Sequence, residues 1–193
     1  YGTMKNLIIR TVSGVVFLAV MLLALLSGDW FEGGKYIFAT LMSFALVMMM
    51  VEFFRMTMGN VYKASRVLAI VGACLMFAVT FLVQSTEAVT GRFITLAFIP
   101  LFVVMINSLY VKDKKDFGKF SNIYTGILYI AVPWTLLNFT AFDSNHDFNG
   151  LMLLCMFIII WVSDVGAYLF GSTLGQKFGP KLFPTISPHK SWV

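Results

Sequence analysis

Glu52 and Asp164 are the two acidic side chains that fall well inside long apolar stretches of this 193-residue sequence. A carboxylate held in hydrocarbon costs at least about 2.5 kcal/mol unless it is paired or hydrated, so each asks for an explanation. Glu52 has Arg55 one helical turn on, and a snorkelling ion pair at the membrane interface accounts for it. Asp164 has no such neighbour. It reads either as a buried ion pair or hydrogen bond to another helix, or as the edge of a site opening to the cytoplasm. After it the composition changes. Ala167, Gly171, Gly175 and Gly179 recur every four residues, and Lys177, Lys181, Ser187 and Lys190 arrive among Pro180, Pro184 and Pro188. The small-residue stripe lets a helix or a ligand approach the backbone closely. Lysines and a hydroxyl on a stiffened backbone offer the fixed donors and positive charge that phosphates need. The same residues would also serve as a basic tail on anionic headgroups, at about 1 kcal/mol per basic residue. Spacing alone does not choose between these two uses.

The elements that must position these residues follow from hydropathy. Of all residues 59% are hydrophobic and 12% charged, which excludes disorder and nucleic-acid-binding tails and is too apolar for a soluble domain of this size. A hydrocarbon layer about 30 Å thick takes around 20 residues of helix to cross. Six runs of that kind occur, at residues 7–27, 36–54, 67–84, 93–111, 123–142 and 150–170, and none alternates as a membrane β-strand would. The expected fold is therefore all-α, a polytopic transmembrane helical bundle of about six spans. The cysteines, Cys74 and Cys155, both lie within apolar runs, so neither a disulfide framework nor a zinc site is expected.

Charge sets the orientation, because Lys and Arg are retained on the cytoplasmic side. Twelve of the fourteen fall on one side of the six runs, namely Lys5, Arg10, Arg55, Lys63, Arg66, Lys112, Lys114, Lys115, Lys119, Lys177, Lys181 and Lys190. Only Lys35 and Arg92 fall on the other. Both termini are thus expected in the cytoplasm. Asp164 then lies about 9 Å short of the cytoplasmic boundary. The chain divides into a six-span region, 1–170, whose Tyr1, Gly2 and Thr3 read as a tag scar, and a cytoplasmic Gly/Pro/Lys segment, 171–193. Pro100 and Pro133 should kink the fourth and fifth spans. Asn107 and Asn138 are expected to form interhelical hydrogen bonds, and Met48, Met49 and Met50 to fill the core or face lipid.

The string Ser163-Asp164-Val165-Gly166-Ala167-Tyr168, then Gly171, Phe178-Gly179, Lys181-Leu182, Pro184, Ile186-Ser187-Pro188 and Lys190-Ser191-Trp192, resembles the phosphatidate cytidylyltransferase family. The likeness covers about thirty residues, and the earlier spans agree mainly in hydropathy. It implies a multi-pass enzyme of the cell inner membrane that transfers CMP from CTP to phosphatidate, releases pyrophosphate and requires Mg²⁺. It further implies Asp164 and Lys190 as catalytic residues, with Asp164 on the metal or orienting a lysine, and Lys177, Lys181 and Ser187 on substrate phosphate or nucleotide. His189 occupies the variable position of Ser-Pro-x-Lys and is a bystander. Two departures stand out. Val193 replaces the family's Glu, and the family's C-terminal metal-binding signature is absent, so the chain resembles an N-terminal part expected to be inactive alone.

Two other classes compete with this reading. A transporter or channel would use Asp164 for cations but needs polar groups through both leaflets. A non-catalytic scaffold would use the glycine stripe to form a homo-oligomer. The orientation is directly testable: a topology reporter fused after Lys115 should report the cytoplasm, and one fused after Asn145 the opposite side.

Overall fold

The computed structural model describes the backbone of residues 2–30, 33–111, 117–170, 181–183 and 187–191, and the side chains of residues 12–28, 30, 33–111, 117–167, 169 and 170. The six expected runs are all helical. They comprise α1 (Gly2–Leu26), α2 (Gly34–Met58), α3 (Lys63–Ser85), a 3₁₀ segment (Gly91–Phe98) continuing into α4 (Ile99–Leu109), α5 (Phe117–Gly126) joined through a π segment (Ile127–Ala131) to α6 (Val132–Ala141), and α7 (Leu151–Phe170). Four of these, Gly34–Met58, Lys63–Ser85, Gly91–Leu109 and Phe117–Ala141, are long and apolar enough to cross a membrane. The described apolar parts of α1 and α7, Val12–Leu26 and Leu151–Ala167, are shorter. Large apolar side chains such as Phe17, Phe44, Leu75, Phe102 and Ile159 are exposed on every span, the inverse of a soluble surface. The all-α membrane bundle is borne out. To it the backbone adds two short strands, β1 (Lys181–Phe183) and β2 (Ser187–Ser191), paired antiparallel.

The chain divides into two compact units, Tyr1–Leu151 and Met152–Val193. In the first, α3 packs against α2, the 3₁₀ segment, α4 and α6, while α2 also meets α1 and α5. The buried residues of α2 are Gly34, Phe38, Met42, Leu46, Met50, Phe54 and Met58, a strict four-residue period. Because 3.6 residues make a turn, such a line winds about 40° around the helix at each step, which lets α2 change partners along its length. At one end Phe38 joins Phe142 and Phe148, with ring centroids 6.5 and 5.1 Å away. At the other end Phe54 lies against Gly126 of α5, where an added Cβ would come within 2.8 Å of its ring. Of the three methionines, Met50 is buried and Met48 exposed, in keeping with core on one side and lipid on the other.

Each proline expected to kink its span adjoins a departure from α-helical winding. Pro133 has no N–H for the turn before it, and the helix widens to the π form at Ile127–Ala131 just upstream. Pro100 stands in the first turn of α4, and the eight residues before that helix, Gly91–Phe98, are wound as 3₁₀. At about 2.0 Å per 3₁₀ residue and 1.5 Å per α residue, this fourth span reaches about 32 Å, against about 28 Å as pure α-helix.

The turn between α2 and α3 uses Gly59 at φ 59° and ψ −120°, a region closed to side-chain-bearing residues, followed by Tyr62 at φ 52°. The connection after α6 is equally defined. Asp143 Oδ1 accepts from the backbone N–H of Asn145 and Asp147, at 2.9 and 3.0 Å, and Asn149 Oδ1 accepts from Leu151 N at 3.0 Å to cap α7. Next to this cap, the backbone of Gly150 sits directly on the Leu25 carbonyl at the end of α1, leaving no room for a Cβ. Gly150→Ala should therefore cost about 1–3 kcal/mol, read as a lower thermal unfolding midpoint in detergent. Gly14→Ala, in open space on α1, should not lower that midpoint, because the added methyl meets nothing and Ala is the better helix former.

Candidate functional site

Asp164 lies on α7, fourteenth of its twenty residues. It is exposed and makes no hydrogen bond or ion pair with another described residue. About 9 Å of helix remains between it and Phe170. The adjoining Ser163 is also exposed, and a Cβ on Gly166 would meet nothing within 4 Å. No described residue occupies the lone pairs of this carboxylate, which could receive a cation, a lysine or water. Of the two readings open for Asp164, a pre-existing pair inside the described structure is not what the geometry provides.

Lys181, Ser187 and Lys190 share one element. Lys181 opens β1, Ser187 opens β2, and Lys190 is the penultimate residue of β2. Lys181 is paired with Ser191 and Phe183 with Ser187. From the first pair to the second, β1 advances two residues and β2 four, so β2 bulges across Pro188, His189 and Lys190. Pro188 has no N–H to give a ladder, which is reason enough for the irregularity. The bulge brings the backbones of Lys181 and Lys190 to the same end of the hairpin. Three residues separated by up to nine positions are thus gathered by a few backbone hydrogen bonds. Lys177 lies outside the described residues, as do Gly171, Gly175 and Gly179 of the small-residue stripe.

The other polar groups singled out in the sequence have local roles. Arg55 donates to Glu52 at 2.7 Å, and the expected ion pair is formed with side chains 71% and 48% exposed. Asn138 is fully buried and donates to Thr80 Oγ1 of α3 at 2.9 Å, so it bridges α6 and α3 as anticipated. Asn107 Oδ1 is buried and has no partner among the described residues, and the expected bond between helices is not found there. Lys35, one of the two basic residues on the lysine-poor side, donates to the Ser85 carbonyl at 3.1 Å and lies over the Tyr36 ring. It therefore neutralises the negative end of α3. Hydropathy missed one contact altogether: Trp134 Nε1 donates 2.9 Å to the Met42 carbonyl, joining α6 to the middle of α2.

Among the described residues no three His, Cys, Asp or Glu side chains gather as a metal site. Mg²⁺ is commonly held by one or two carboxylates together with substrate phosphates and waters, so a lone exposed Asp164 can supply one ligand without forming a cage.

A model of the cytidylyltransferase family matches residues 8–193. The chain is similar to proteins named phosphatidate cytidylyltransferase in Staphylococcus haemolyticus, at 23% identity, in Staphylococcus aureus, at 24%, and in Staphylococcus epidermidis, at 23%. Each alignment runs over 183 residues and covers 95% of this chain. The chain spans 64% of the length of these curated relatives. No solved structure matches it.

Proposed function

This chain belongs to the cytidylyltransferase family, and from that membership we propose that the whole protein transfers CMP from CTP to phosphatidate, giving CDP-diacylglycerol and pyrophosphate. The observation that carries the reading is the family match over residues 8–193, which takes in Asp164 and the lysine-bearing hairpin in one continuous alignment. The reading also fits the relatives' name, phosphatidate cytidylyltransferase.

In the proposed reaction a phosphate oxygen of phosphatidate forms a bond to the α-phosphorus of CTP as the bond from that phosphorus to the pyrophosphate oxygen breaks. The protein's part is to hold two polyanions in line and offset their repulsion. Lys181 and Lys190 would contact phosphate oxygens, Ser187 would hydrogen-bond phosphate or nucleotide, and Lys177 would add charge beside them. Asp164 would contribute one oxygen to Mg²⁺ or hold a lysine in register. The bound metal would neutralise charge on the triphosphate and the leaving pyrophosphate. One substrate is a lipid and the other water-soluble, so the reaction belongs at a membrane surface. A multi-pass protein of the inner, cytoplasmic membrane with both termini in the cytoplasm would put Asp164 and the hairpin there.

The assay is CTP-dependent formation of CDP-diacylglycerol by the full-length protein in phosphatidate-containing micelles. Asp164→Asn and Lys190→Ala should each lower turnover about a hundredfold or more while thermal unfolding is unchanged. Near wild-type turnover from both variants would reject the assigned roles, and no nucleotide turnover by the intact protein would reject the function.

A further inference from the structure

The contact between α3 and α6 contains a cluster of buried polar atoms whose hydrogen-bonding capacity does not balance. The Asn138 carboxamide nitrogen donates to Thr80 Oγ1 at 2.9 Å and lies 3.2 Å from the Thr135 carbonyl and 3.4 Å from the Phe77 carbonyl. The Thr80 hydroxyl spends its own proton on the Phe77 carbonyl at 2.9 Å or the Met76 carbonyl at 3.1 Å, which leaves its lone pairs for Asn138. Every donor of the pair is thus engaged. Two oxygens are not. Asn138 Oδ1 and Thr135 Oγ1 are both buried, with no hydrogen-bond partner among the described residues. Their residues are 0% and 4% exposed. Their residues stand three positions apart on α6, hence on one face of the helix.

We propose that one water molecule is bound between Asn138 and Thr135. It accepts the Thr135 hydroxyl proton and donates one of its own to Asn138 Oδ1, so that both orphaned oxygens are satisfied inside an otherwise apolar contact. A buried water needs a polar site with at least two partners, and these two oxygens provide them. Ala131 of the π segment, Ala141 of α6 and Phe77 of α3 are likewise buried, at 1% exposure or less. Asn138 is three residues, about 4.5 Å of rise, from the end of α6, and Thr80 is about 7.5 Å from the end of α3. The site makes the joint between the two helices a hydrated one, and it is independent of the proposed reaction.

The test is a map of the full-length protein at a resolution that shows ordered solvent, paired with isosteric variants. A peak within about 2.6–3.2 Å of both Asn138 Oδ1 and Thr135 Oγ1 is expected. Thr135→Ser should keep the peak and the unfolding midpoint, whereas Thr135→Val should lose the peak and unfold several degrees lower. A wild-type map without the peak overturns the proposal, as does a Thr135→Val protein that unfolds at or above the wild-type temperature.

Discussion

Within a bilayer, a backbone amide or carbonyl has no water to fall back on and must find its partner inside the protein. The architecture follows from that constraint. It makes each apolar run a helix, and it explains why departures from α geometry occur where proline removes a donor. The π segment before Pro133 and the 3₁₀ segment before Pro100 are two ways of redistributing carbonyls around a missing N–H. It also explains why polar side chains in the interior are spent on the backbone, as when Trp134 reaches the Met42 carbonyl and Lys35 the Ser85 carbonyl.

Since lipid is as apolar as leucine, burial of apolar surface does not choose among helix faces here, and close fit has to do so. Small residues at Gly126 and Gly150 admit Phe54 and the Leu25 carbonyl respectively, and the four-residue stripe on α2 passes from one neighbour to the next. The rings of Phe38, Phe81, Phe142 and Phe148 close the end of the bundle where the connection after α6 folds back, with the Phe142 and Phe148 centroids 5.5 Å apart.

Much of this could be read before any coordinates, and the reasons are local. Six runs of apolar residues flanked by charge predict six helices, and Glu52 with Arg55 predicts its own ion pair. Pro100 and Pro133 announce a disturbance but not its form, because whether a helix tightens or widens depends on neighbours remote in sequence. Asn138 could be identified as a bridge, yet its partner Thr80 is a span away, and Thr in a helix carries no sign of what it will meet. The strands at Lys181–Phe183 and Ser187–Ser191 were the least legible part, since a stretch with three prolines reads as irregular. Their pairing nevertheless gathers Lys181, Ser187 and Lys190, which the sequence could only describe as near one another.

The way α1 is attached has an evolutionary corollary. Met21, Ala24, Leu25 and Ser27 at its end are buried, while residues 12–20 are exposed throughout. Among the described residues of α1, close fit to the rest of the first unit is concentrated in its last turns. The exposed positions of residues 12–20 leave more room for exchange among apolar, helix-forming side chains than the buried ones do. Between residues 12 and 26 the rate of divergence should therefore fall on passing Met21.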